Sequence, residues 1–99
     1  MRHQTWGDSA GAREHYNIGE KEAITVNNRD RIPDGITSKG VHEVKNVKYL
    51  SNTRQIRDYK QFADSTGRKL HLDTRTDTRL AEPLRKAVRD GKIKWRPIP

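Results

Sequence analysis

Between Val41 and Leu50 the chain reads VHEVKNVKYL, with branched and aromatic residues recurring at alternate positions, and this predicts a β-strand. Leu70-His71-Leu72 predicts a second strand, and Lys92 to Ile98 (KIKWRPI), alternating about Ile93 and Trp95, predicts a last one. Pro97 cannot donate to a ladder, which puts that strand at a sheet edge. Between these runs the period becomes helical. Ser51, Asn52 and Thr53 offer N-caps to a helix running to about Ser65, with Ile56, Tyr59, Phe62 and Ala63 on its apolar face and Gly67 ending it. Thr78 is expected to cap another helix, with Leu80, Leu84 and Val88 on its buried face, Pro83 tolerated near its first turn, and Gly91 closing it. Upstream, Arg31-Ile32-Pro33-Asp34-Gly35-Ile36 and the turn at Ser38-Lys39-Gly40 predict a hairpin leading into the Val41 strand, while Asn27 to Arg31 reads as a polar connector. Arg13 to Ile24 fits a short helix carrying Glu14, Glu20 and Glu22, and Met1 to Ala12 is polar, aperiodic and expected to be a tail. The order α-β-β-α-β-α-β implies an α/β fold: a small mixed β-sheet flanked by helices.

Composition narrows this to one small domain, residues 13–99, behind the 1–12 tail. With 30% hydrophobic against 34% charged residues, a chain of 99 residues has a thin core. Cysteine is absent, which excludes a disulfide framework, a Cys-based zinc site and a Cys nucleophile. No apolar run approaches the roughly 20 residues of a membrane span. Twenty-one Lys and Arg against thirteen Asp and Glu give a net charge of +8, which favours a polyanionic partner, nucleic acid foremost.

The chemistry concentrates in the Val41 strand. Side chains alternate between faces, so Glu43 and Lys45 share a face with Val41, Val47 and Tyr49. A carboxylate and an ammonium in an apolar row are costly unless paired, hydrogen-bonded or bound to a metal. Taken alone, the Glu-x-Lys triplet is more often a solvated ion pair, and Pro-Asp-Gly alone is a turn. Their combination is more informative, because a hairpin of two short strands returns Asp34 to the side of Glu43. Asp34, Glu43 and the carbonyl of Val44 then make an oxygen-rich site suited to Mg²⁺ or Mn²⁺, with Lys45 aimed into it. Such a site serves phosphodiester hydrolysis, in which a metal lowers the pKa of bound water and a cation stabilises the added charge. Gln55 and Tyr59 lie four apart on the following helix and can share a face. Arg54, Arg57 and Gln61 form a helix stripe suited to phosphate contacts, and Lys48 adds a cation nearby. The four histidines have neither H-x-x-x-H nor HNH-like spacing, and His42 falls on the face opposite Glu43.

Pro33-Asp34 followed by Glu43-Val44-Lys45 resembles the PD-(D/E)xK nuclease superfamily, whose fold is restriction-endonuclease-like. Gln55-Ile56-Arg57-Asp58-Tyr59 is similar to the Q-x-x-x-Y motif of some of its exonuclease branches. RIPDGIT, GVHEVKNVKYLSNTRQIRDY and DGKIKWRPIP further resemble the restriction-endonuclease-fold toxin domains at the C-termini of bacterial polymorphic toxins, including Rhs-type proteins. The resemblance implies a metal-dependent nuclease with Asp34, Glu43, Lys45 and Gln55 as catalytic residues and Asp34, Glu43, Val44 and Glu20 as metal ligands. In it, Glu20 corresponds to the acid of the first helix, with Glu14 and Glu22 as alternatives. Arg54, Arg57, Tyr59 and Lys48 are the expected nucleic-acid contacts. It also implies DNA as substrate, with RNA second, a larger carrier that delivers the domain into a target-cell cytoplasm, and an acidic cognate immunity protein. A different class of reading keeps the basic surface and makes the acidic pair structural: a non-catalytic nucleic-acid-binding domain.

Overall fold

A computed structural model describes residues 16–98. Its centre is a four-stranded mixed sheet, ordered β3-β4-β6-β8, built from β3 (Gly35–Ile36), β4 (Gly40–Lys45), β6 (Lys69–Arg75) and β8 (Ile93–Ile98). β3 runs antiparallel to β4, whereas β4, β6 and β8 are mutually parallel. Parallel neighbours need crossovers. These are supplied by α1 (Arg54–Ser65) and α2 (Glu82–Arg89), which pack on one face of the sheet. Two two-stranded ribbons complete the fold: a hairpin of β1 (Ile24–Val26) and β2 (Arg29–Arg31), and a parallel pair of β5 (Tyr49–Leu50) and β7 (Arg79–Leu80).

The period-2 alternation of the parallel strands builds the core. Val41 of β4, Leu70 and Leu72 of β6 and Ile93 of β8 point to the helix side, where Ile56, Tyr59 and Ala63 of α1 and Leu84 of α2 cover them. Burying each such side chain contributes about 1.5–3 kcal/mol. On the far face, Ile18, Val44 and Ile98 form a second, smaller cluster with Tyr16 against it.

The mixed α/β architecture agrees with the sequence expectation, but four elements differ. Residues 16–24 are not helical: Gly19 has φ +79, and the segment runs alongside β3, with Ile36 donating its N–H to the Glu20 carbonyl at 3.1 Å. Positions 13–15 of the expected helix, and the 1–12 tail, lie outside the described residues. The Asn27 to Arg31 connector belongs to the β1–β2 hairpin, because Asn27 and Asn28 both take positive φ (52 and 61), the geometry of a tight hairpin turn. The Val41 strand stops at Lys45, so Val47 and Tyr49 do not continue the face of Glu43 and are exposed. Thr78 caps no helix. Its hydroxyl donates to the Val47 carbonyl at 2.6 Å, Leu80 belongs to β7, and α2 begins at Glu82 behind Ala81 with Pro83 in its first turn.

Two glycines decide how the N-terminal segment seats. A Cβ on Gly19 would lie 2.0 Å from the Ile36 carbonyl oxygen, and one on Gly35 would lie 2.0 Å from that of Ile18. Backbone therefore packs directly on backbone beside Asp34. Gly35→Ala is expected to force the two segments apart and to cost at least the ~1–3 kcal/mol of ordinary overpacking, read as a lower denaturation midpoint in urea. A midpoint equal to that of the unmodified protein would contradict this contact.

Candidate active site

The β3–β4 hairpin sets two carboxylates side by side. Beyond the end of β3 pairing, the Asp34 side chain replaces the missing ladder partner: its Oδ2 accepts from the Val44 N–H at 2.8 Å. The Asp34 N–H in turn donates to Glu43 Oε1 at 3.3 Å. A strand residue directs its N–H and C=O to the same edge, so the Val44 carbonyl looks out on the edge that Asp34 occupies. Glu43 is 6% exposed. Burial and then the Asp34 charge push its carboxyl up to about 7, with Lys45 opposing.

Lys45 emerges two residues on, on the same face. Its Nζ lies 3.2 Å from Glu43 Oε2 and donates to Gln55 Oε1 at 2.7 Å. Gln55 reaches it because Thr53 caps α1, its side chain accepting from the Ile56 N–H at 3.2 Å, which fixes where the first turn starts. One turn later Tyr59 hydrogen-bonds Gln55. Burial, followed by the charges of Glu43 and Asp34, raises the Tyr59 phenol above its ordinary value, so the hydroxyl keeps its proton.

Asp34, Glu43, Lys45 and Gln55 thus converge, with Tyr59 beneath them. Tyr59 is 1% exposed and part of the core, so it supports Gln55 and does not offer a nucleic-acid contact, a correction to the sequence expectation. Glu20 pairs by its backbone with Ile36, two residues from Asp34, but its side chain is exposed. Among the described residues no group of three or more His, Asp or Glu is placed to hold a metal. The donor set in place is therefore two carboxylates and a carbonyl. That fits Mg²⁺, which binds through one or two carboxylates, keeps several waters and takes phosphate oxygens as further ligands. Arg54 and Lys48 are exposed, Arg57 turns back to donate to the Asn52 carbonyl, and Gln61 pairs with Asn27. The Arg54, Arg57 and Gln61 stripe is thus partly committed within the protein.

Three features gave no sequence signal. Lys21 Nζ lies 3.8 Å from Asp34 Oδ1, brought there by the Gly19–Gly35 contact. Asp58, 2% exposed on α1, holds the β1–β2 hairpin: Arg29 donates to its two oxygens at 2.9 and 2.8 Å, Arg31 Nε at 3.0 Å, and Asn27 at 3.1 Å. Its hydrogen bond with Arg29, above all, holds the carboxyl below the usual carboxylate range. On the far face, Arg96 donates to both oxygens of the buried Asp73 (2.7 and 3.0 Å) and to His42 Nδ1 at 3.2 Å. His42 Nε2 then carries the proton and donates to Thr37 Oγ1 at 3.2 Å. Burial, then His71 and Arg96, lower His42 to about 3, so this face carries a neutral imidazole. That chain ties edge strand β8 to the β3–β4 turn. As expected, His42 lies on the face opposite Glu43.

No curated protein and no solved structure matched the chain. The family model described as restriction endonuclease fold toxin 7 matches residues 7–84, a stretch that contains β3, β4, α1 and all four converging side chains. The chain belongs to this family of restriction-endonuclease-fold toxins.

Proposed function

We propose that this protein is a divalent-metal-dependent nuclease, the toxic effector domain of a bacterial polymorphic toxin, with DNA as first substrate and RNA as second. The observation that carries the reading is the packing of Asp34 against Glu43 with Lys45 and Gln55 on the same edge, in a family of restriction-endonuclease-fold toxins.

In this reading Asp34, Glu43 and the Val44 carbonyl hold Mg²⁺ (or Mn²⁺), and Glu20 is proposed to contribute from the neighbouring segment, directly or through water. The metal would polarise the phosphate and lower the pKa of bound water. The remaining work belongs to the chain. Lys45 has three N–H donors, two of them directed at Glu43 and Gln55, and the third is available to a phosphate oxygen or the attacking water. Gln55 keeps the ammonium from swinging away, and Arg54, Arg57 and Lys48 bind flanking phosphates. An acidic immunity protein and a larger carrier that delivers the domain into the target cytoplasm complete the proposal, in keeping with the +8 charge and the family.

The test is cleavage of supercoiled plasmid and of total RNA, in parallel, with Mg²⁺ and with EDTA. Metal-dependent nicking supports the DNase reading; RNA loss alone keeps the site and changes the substrate. Absence of both from folded protein would leave a basic binding domain. Binding itself should be steeply salt-dependent. With about six to ten phosphates neutralised, affinity for an oligonucleotide in EDTA is expected to fall roughly 10³–10⁵-fold between 50 and 200 mM salt. Flat salt dependence in a fluorescence-anisotropy titration would remove the phosphate contacts from the proposal.

A further inference from the structure

Beyond Lys45 the parallel ribbon of β5 and β7 carries an exposed pair that the catalytic reading does not use. Tyr49 and Arg79 are register partners on adjacent strands, so their side chains leave the same face of the ribbon, while Leu50 and Leu80 turn inward. Tyr49 is 61% exposed, against the usual preference of a large aromatic for at least partial burial. Among the described residues, neither Tyr49 nor Arg79 has a side-chain hydrogen bond or ion pair. Tyr49, Arg79, Arg85 and Trp95 line one open pocket of about 520 Å³, inside the range of roughly 300–1,000 Å³ that ligand sites occupy.

The pocket adjoins the candidate active site through the sheet itself. Lys45, Thr74 and Pro97 are successive register partners across β4, β6 and β8, and Trp95 donates from Nε1 to Thr74 Oγ1 at 2.8 Å. The Trp95 ring is thus fixed one side chain away from the row that holds Lys45. The three residues Asn46 to Lys48 connect Lys45 to Tyr49, so four Cα–Cα steps, at most about 14 Å of chain, lie between the two. The local charge is positive: Glu82 is the one acid lining the pocket and is paired with Arg85 and Arg89, which leaves Arg79 without a counter-charge.

An exposed aromatic face beside a guanidinium with no acidic partner is what an unpaired nucleotide requires: a ring on which to stack the base and a cation for its phosphate. A base in duplex is already stacked and turned inward, and cannot use such a ledge. We propose that Tyr49 and Arg79, with the Trp95 pocket beneath them, bind an unpaired nucleotide of the substrate strand next to the phosphate at Lys45, so that the protein takes single-stranded nucleic acid in preference to duplex. This rests on the nuclease reading for its orientation toward Lys45, but not for the binding itself.

The experiment is fluorescence anisotropy in EDTA, where no cleavage occurs, with single-stranded and duplex oligonucleotides of both DNA and RNA. Unmodified protein is expected to bind the single strand more tightly. Tyr49→Ala should weaken single-strand binding by roughly 5–100-fold, the equivalent of one stacked base, and barely change duplex binding, while Tyr49→Phe retains it. Arg79→Ala should weaken binding to both forms and lower the salt slope by about one. Comparison of the DNA and RNA strands identifies which sugar the site takes. Circular dichroism melts check that each variant is folded; both residues are exposed, so melting should be unchanged. Equal affinity for strand and duplex, or a Tyr49→Ala variant that binds as the unmodified protein does, overturns the proposal and would point to a protein partner for this surface. Loss of single-strand binding in Tyr49→Ala together with undiminished cleavage by Glu43→Gln would sink the catalytic assignment and leave this one standing.

Discussion

Glu43→Gln is expected to lower metal-dependent cleavage by at least about 10²-fold and, without metal, to make the protein more stable at pH 8. The two effects share one origin. The carboxyl sits buried against Asp34 and is displaced from an ordinary 4.5 up to about 7. A group whose pKa rises on folding stabilises the fold fully below its unfolded value, and this contribution is lost as pH rises through the folded value. Between about pH 4.5 and 7 the metal-free protein should therefore lose up to about 3 kcal/mol through Glu43. Gln removes that loss and also removes the anionic ligand. Urea melts at pH 5 and pH 8, with EDTA and with Mg²⁺, would show the pattern. At pH 8 the Gln variant gains over the unmodified protein in EDTA, and Mg²⁺ restores the unmodified protein alone. A Gln variant weaker than the parent by the same amount at both pH values would mean that Glu43 serves as a structural partner of Lys45. Lys45→Met should also abolish cleavage, but it leaves Glu43 beside Asp34 without its cation and should steepen the pH dependence.

Tyr59→Ala should be the most destabilising single change near the site, at about 3–5 kcal/mol, because it empties the place of a fully buried aromatic ring between α1 and the sheet. Total stabilities of small domains are about 5–15 kcal/mol, and a thin core leaves this chain little margin. Tyr59→Phe separates packing from hydrogen bonding. The ring stays, so denaturation should shift by about 1 kcal/mol or less, while Gln55 loses the hydroxyl that steadies it. Lys45 is then bonded to a less firmly held Gln55, and cleavage should fall through kcat with KM little changed. A Phe variant with full activity would make Tyr59 a core residue without influence on the site.

How the site became legible follows from the range of each interaction. Glu43 and Lys45 share a face because side chains alternate in any strand, and Gln55 and Tyr59 share one because four residues make about one helical turn. Both relations are local and survive whatever the rest of the chain does. The pairing of Asp34 with Glu43 required a hairpin, which the short Ser38-Lys39-Gly40 connection made the economical solution. The sequence did not show that Asp34 would hydrogen-bond the Val44 amide, because that depends on β3 pairing beginning only at Gly35.

What the sequence by itself determined was the mixed α/β architecture, α1 with a cap among Ser51, Asn52 and Thr53, the strands at Leu70 and Ile93, the edge position of Pro97, and the face on which Glu43 and Lys45 lie. Each is set by residue period or by a backbone property of one residue. The tertiary structure alone decided where β4 stops, and so freed Tyr49 from the sheet face and set it beside Arg79. It also drew residues 16–20 along β3 through Gly19 and Gly35, against the helix that the local pattern favoured. It buried Asp58 under two arginines from a hairpin about 30 residues earlier in the chain, and Asp73 under Arg96. These outcomes rest on contacts between distant segments, whose strength depends on burial and on partners that no local window contains.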